Sequence, residues 1–174
     1  MSRLRPFALA LGLALLGSAC SDDASKSAAL DTRLETHAVL PGQPSAEGLA
    51  YVQAVVEAHQ QADQLGDRQA RIDRLLAALE REPPANDGTA ELLHYELLAR
   101  TAEAMLESGD AERARALLEP RLGTRVSLPI DRASARCLIA LGDAAAQTGD
   151  HALAMGSYAR SLELLSLLLE EVEP

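Results

Sequence analysis

Two pairs of side chains in this sequence have the types and spacing for metal or proton chemistry. His59 and Asp63 stand four residues apart, and Glu91 and His94 three, so on helices each pair shares a face. An imidazole beside a carboxylate is half of a zinc site or of a general-base pair. Neither pair has a third ligand at helical spacing. The chain also lacks a glycine-rich phosphate loop and a nucleophile elbow around its serines. The expectation is therefore no enzyme and no cofactor, with these histidines on solvated helix faces. The enzyme alternative requires a metal bound at His59 or His94. Cys137 lies in an Ala/Leu-rich stretch and reads as a small core residue rather than a reactive thiol.

The second cysteine, Cys20, ends a leader. Arg3 and Arg5 form a basic region, Phe7 to Leu16 an apolar one, and Gly17-Ser18-Ala19 supplies small residues before Cys20. That is a secretory signal, too short to span a membrane. The Leu16-Gly17-Ser18-Ala19-Cys20 stretch resembles the lipobox of bacterial lipoproteins, although Gly17 stands where Leu is more usual. The resemblance implies that residues 1–19 are cleaved off and that the Cys20 sulfur carries diacylglycerol, usually with a further acyl chain on the new amino terminus. Several acyl chains anchor stably where one binds only marginally. The alternative is an ordinary secretory signal followed by an unmodified cysteine. In Gram-negative lipoproteins an aspartate after the lipidated cysteine tends to retain the protein at the inner membrane. Ser21 stands here instead, so the outer membrane is expected, with the domain facing the periplasm.

Loss of Arg3 and Arg5 leaves 14 basic residues against 26 acidic ones, a net charge of −12. Such a surface is a poor partner for nucleic acid or anionic lipid. Aromatics are scarce, with no Trp, one Phe and three Tyr, so Leu and Ala must do the packing. That composition suits close helix pairs better than a β-sandwich.

Residues 21–48 are rich in Ser, Ala, Asp, Pro and Gly and read as a tether, its 28 residues spanning roughly 30 Å as flexible coil. From Leu49 onward, apolar residues recur at helical spacing on both sides of three turns, Gly66-Asp67, Gly109-Asp110 and Gly149-Asp150. Glycine takes the left-handed conformation that closes a helix, and the aspartate after it caps the next. The first hairpin carries Tyr51, Val55, Ala58, Ala62 and Leu65, then Ile72, Leu75, Leu76 and Leu79. The second carries Leu92, Leu93, Leu97, Leu98, Ala102 and Met105, then Ala114, Leu117 and Leu118. The third carries Leu138, Leu141 and Ala145, then Leu153, Met155, Tyr158, Leu162 and Leu165. Residues 126–128 are too few for a strand of their own. The predicted fold is all-α, with six helices in three antiparallel pairs over residues 49–174.

In the third copy Leu141-Gly142, Ala145, Ala154, Tyr158 and Ser161 fall where tetratricopeptide repeats place their large, small and aromatic residues. The second copy keeps Ala102, Met105, Ala114 and Leu118, and the first keeps Ala62, Leu75, Ala78 and Pro83. In the first copy His59 and Arg71 occupy positions where small residues are usual. The three hairpins resemble that family, whose period is about 34 residues. Here the turns are 43 and 40 residues apart, the extra residues lying at 83–88 and 121–129. A plain six-helix bundle is the alternative.

The resemblance implies three helix pairs stacked as a short α-solenoid whose first helices line a groove. In register, that groove takes Gln53, Val56, Gln60, Asp63 and Gln64 from copy one, and Glu96, Ala99, Glu103, Leu106 and Glu107 from copy two. Copy three adds Arg136, Ile139, Asp143, Ala146 and Gln147. A mostly acidic and amide-bearing row suits a basic or polar extended segment, unless it is simply a solvated face. The carboxyl end offers a second surface. With Tyr158, Leu162, Leu165 and Leu169 packed inward, Leu164, Leu167 and Leu168 form an exposed strip. The strip docks another protein or a second copy of the chain as a homodimer, or the tether folds over it. The implied function is a membrane-anchored adaptor for an envelope assembly such as outer-membrane assembly, a secretin or cell-wall machinery. The alternative is a self-associating envelope lipoprotein.

Overall fold

The computed structural model of the chain describes residues 34–38, 45–123 and 127–170. The signal segment and Cys20 lie outside the described residues. The described residues are all-α in class, with six helices: α1 (Ala46–Gln64), α2 (Arg68–Leu79), α3 (Gly88–Glu107), α4 (Ala111–Leu118), α5 (Arg132–Gln147) and α6 (His151–Glu170). Two short strands, β1 (Thr36–His37) and β2 (Leu128–Pro129), pair in parallel.

Every one of these helices begins on a side-chain cap. Ser45 Oγ accepts from the Gly48 amide at 2.8 Å, and the carboxylates of Asp67, Asp87, Asp110, Asp131 and Asp150 accept from the amides three residues on. A cap of this kind is worth about 1 kcal/mol, and the aspartates also sit at the positive end of each helix. Gly109 and Gly149 close α3 and α5 with φ of +82° and +83°. The amides of Asp110 and Asp150 return to the carbonyls of Met105 and Ala145 at 2.9 and 2.8 Å, which completes a Schellman closure at both turns. Gly66 differs from the expectation. It is not left-handed, because α1 ends instead on an extended Leu65 at φ −79° and ψ 119°.

The buried side chains of α1 to α5 follow the predicted stripes. Tyr51, Val55 and Ala62 pack in one cluster with Leu75, Leu79, Leu97, Leu98, Ala102, Leu118, Leu138 and Leu141, while Ile72 and Met105 pack in a second with Ala114 and Ala144, and Ala58 is buried. The third helix packs on α1, α2, α4 and α5, while α5 packs on α3, α4 and α6.

The phase of α6 is the main correction. Leu164 is fully buried, whereas Leu162 and Leu169, expected to point inward, are 66% and 70% exposed, and Met155 is 70% exposed. Leu167 and Leu168 are half-buried. The face turned to the core carries Ala154, Ser157, Arg160, Ser161 and Leu164. Small residues decide this, since they let α6 press against α5. Ser161 Oγ donates to the Ala135 carbonyl at 3.2 Å, and the Tyr158 ring lies over Gly142, where a Cβ would sit only 2.4 Å from its Cε1. Leu164 therefore belongs to the core and not to an exposed strip.

The tether reading also changes. Leu34 is buried in the main cluster with Leu122 and Leu128. The Leu128 amide donates to the Glu35 carbonyl at 2.8 Å, and the Ile130 amide to the His37 carbonyl at 3.0 Å. Residues 34–38 are thus part of the folded body, and α1 starts at Ala46 rather than at Leu49. Arg160 is 4% exposed, its guanidinium donating to the carbonyls of Leu122 at 2.6 Å and Gly123 at 3.5 Å, which pins the chain after α4. Burial lowers its pKa.

Candidate functional site

Where α2, α3 and α5 meet, a cleft of about 370 Å³ is lined by Arg71, Glu96, Arg100, Glu103, Glu107 and Arg136 over a floor of Leu75 and Ala104. Four expected groove residues, Glu96, Glu103, Glu107 and Arg136, meet here. The spacing 96, 100, 103, 107 on α3 brings its polar side chains onto one face, which keeps Glu96, Glu103 and Glu107 of the expected row but not Ala99 or Leu106. Ala99 is fully buried, and Arg100 takes its place.

The cleft is far less acidic than its carboxylates suggest. Arg136 forms a two-bond fork with Glu103, its Nε and an Nη donating at 2.9 and 2.6 Å, while its other Nη donates to Glu96 at 2.6 Å. These bonds, that to Glu103 foremost, hold the guanidinium pKa above its ordinary value. Arg100 pairs with Asp63 on α1 and donates to His59 Nδ1 at 2.7 Å. Because a guanidinium only donates, His59 is neutral, with its proton on Nε2. Burial first, then Arg100, lowers the His59 pKa. Its Nε2 is buried without a hydrogen-bond partner, as is Arg71 Nε. Among the described residues, neither Arg71 nor Glu107 makes a salt bridge.

The remaining expected groove residues do not line the cleft, although Asp63 pairs with Arg100 at its edge. Gln53 and Gln60 are exposed on α1. Asp143 accepts from the Tyr158 hydroxyl at 2.6 Å and so binds α5 to α6. Arg71 and Arg100 were absent from the expected row. The signal for Arg71 was its departure from a small-residue position, a departure it shares with His59.

The two histidine–carboxylate pairs do not form as such. His59 and Asp63 both engage Arg100. Glu91 accepts instead from His37 Nε2 at 3.1 Å, and His37 Nδ1 meets Ser127 Oγ at 3.0 Å. His94 Nδ1 meets the Tyr51 hydroxyl at 2.9 Å, and burial lowers the His94 pKa. Among the described residues no cluster of three or more His, Cys, Asp or Glu side chains is arranged to hold a metal ion. Cys137 is buried, with its Sγ 3.4 Å from the Tyr95 carbonyl, and burial pushes its thiol pKa up.

At the carboxyl end, Arg132, Leu165, Leu168 and Leu169 line an apolar groove of about 470 Å³. No protein-family model, curated protein or solved structure matches this chain.

Proposed function

We propose that the chain is a lipid-anchored adaptor that holds an extended polar segment of another envelope protein in the α2–α3–α5 cleft. In this reading the helices form three antiparallel pairs, α1–α2, α3–α4 and α5–α6, stacked as a short tetratricopeptide-like solenoid. The neighbours support it. Each first helix touches the next first helix, and each second helix touches the first helix of the following pair. The fit of Tyr158 over Gly142 supplies the close approach such repeats need.

The observation that carries the function is the pair of charged side chains in the cleft that make no salt bridge among the described residues, Arg71, which spends one Nη on the Leu65 carbonyl at 3.3 Å, and Glu107, flanking the Arg136 network with Glu96 and Glu103. An extended peptide satisfies both, a backbone carbonyl accepting from Arg71 and an amide or cationic group donating to Glu107. With Glu96 and Glu103 held by Arg136, a polar segment of mixed donors and acceptors fits better than a strongly basic one. Cys20, through its acyl chains, holds the protein at the outer membrane with the helices in the periplasm.

Affinity capture of the full-length chain from crosslinked envelopes, beside an Arg71→Glu/Glu107→Arg form, tests the cleft. An envelope protein recovered with the parent and lost with the variant supports the reading. Recovery of the same proteins with both overturns it. Cys20→Ser is expected to release the chain from the membrane fraction; retention there overturns the anchor.

A further inference from the structure

We propose that α6 pairs with α6 of a second copy of this chain in an antiparallel two-fold dimer. The outer face of α6 carries Ala152, Met155, Ala159, Leu162, Ser166 and Leu169, and all six are exposed. Their spacing alternates three and four, the 3.5-residue repeat of a coiled-coil seam. The seam lies opposite the face that Ser157, Arg160, Ser161 and Leu164 bury. Its large residues, Met155, Leu162 and Leu169, alternate with small ones, Ala152, Ala159 and Ser166. The Ser166 hydroxyl already donates to the Leu162 carbonyl at 2.9 Å, so covering it leaves no unmet hydrogen bond.

Self-complementarity selects the occupant. A two-fold axis between Arg160 and Ser161, at the midpoint of α6, places Ala152 against Leu169 of the partner subunit. The same axis places Met155 against Ser166 of the partner subunit and Ala159 against Leu162 of the partner subunit. The reciprocal contacts complete six layers, each large residue seated on a small one. Helix axes then approach to about 8 Å, the close end of the usual range. A parallel pair would stack Met on Met and Leu on Leu and leave gaps at the alanines. Residues 20–33 carry one large aliphatic, Leu30, and so lack the side chains to fill these layers.

The contact is small. From Ala152 to Leu169, seventeen rises of 1.5 Å give a strip about 26 Å long and one helix wide. That falls short of the roughly 800 Å² per partner of a standard interface. The dimer is therefore weak in free solution and gains from two copies tethered to one membrane. No ionised side chain lies in the seam, so added salt does not weaken it.

Disulfide trapping in membranes carrying the full-length chain tests this. Met155→Cys/Ser166→Cys places the thiols about 16 Å apart within one helix, too far to bridge internally, but opposite each other between copies. Mild oxidation is expected to give a covalent dimer from the double variant, little from either single variant, and at least tenfold less when Leu162→Glu is added. A covalent dimer from Met155→Cys alone, in equal yield, would show a parallel or random encounter and overturn the proposal. A double variant that stays monomeric, its seam covered by lipid or tether, or that crosslinks to a different protein, overturns it too. None of these residues lines the cleft, so this result stands apart from that of the cleft variants.

Discussion

Leu162 and Leu164 are two residues apart on one helix and identical in type, yet replacement of each by alanine is expected to differ by several kcal/mol. Leu164 is fully buried in the main cluster, while Leu162 is 66% exposed. Truncating a buried leucine costs the lost transfer energy plus the cavity left behind, about 2–5 kcal/mol in comparable cores. The sites that collapse best lie at the low end. Leu164 faces α5 across small side chains, and its neighbours Ser157 and Ser161 have no spare length to fill the gap. A value of about 3 kcal/mol follows for Leu164→Ala. Leu162→Ala removes a side chain already mostly in water and is expected within about 0.5 kcal/mol. In a domain of this size 1 kcal/mol moves the midpoint by roughly 3 °C, so Leu164→Ala should lower Tm by about 10 °C. Urea and thermal unfolding followed by helical circular dichroism, at low protein concentration, reads both variants. Equal effects, or a larger loss at Leu162, would show that α6 has the opposite phase and refute its packing through Leu164.

The three glycine turns should separate by backbone conformation. Gly109→Ala and Gly149→Ala place a Cβ at positive φ and are expected to cost about 1–2 kcal/mol. Gly66→Ala, with ordinary φ and open space around it, should be neutral or stabilising by up to about 1 kcal/mol in the same unfolding assay. Acidity should destabilise the fold through His59 and His94. Both pKa values are lowered by burial, so the unfolded chain takes up protons first as pH falls below the ordinary histidine value of 6.5. Stability should be full above that pH and fall until the folded-state values are passed. A flatter profile for His59→Gln/His94→Gln between about pH 7.5 and 5 checks it, and an unchanged slope contradicts it. Finally, Arg136→Gln is expected to cost about 1 kcal/mol, kept small because a third of the side chain is in solvent. A double-mutant cycle with Glu103→Gln measures the pair, and a coupling of zero would show that the fork adds nothing to stability.

Part of this molecule was legible locally. A cap joins residues three apart, so Asp67, Asp110 and Asp150 announce their helices without reference to the rest of the chain. Tyr51, Val55, Ala58 and Ala62 likewise recur on one side of a single helix, and their burial follows from that period. The candidate cleft was half legible, since Glu96, Glu103, Glu107 and Arg136 could be placed by register. The pairing of Arg136 with Glu96 and Glu103, and of Arg100 with Asp63, joins residues 33 to 40 positions apart and had no local trace.

Other features were decided only when the elements came together. The pairing of β1 with β2 brings His37 to Ser127 across 90 residues of sequence, so a stretch with the composition of a linker becomes part of the body. In α6, leucines surround the helix, and a pattern apolar on every side has no preferred direction. Its orientation comes from Ser157, Ser161 and Ala154, whose small size lets it approach α5, and from the space that Gly142 leaves for the Tyr158 ring. The sequence by itself determined where helices start and which faces of α1 to α5 are apolar, because those signals act over one or two turns. Tertiary structure decided which face of α6 is hidden and which charges are neutralised, because both depend on how closely distant segments can pack.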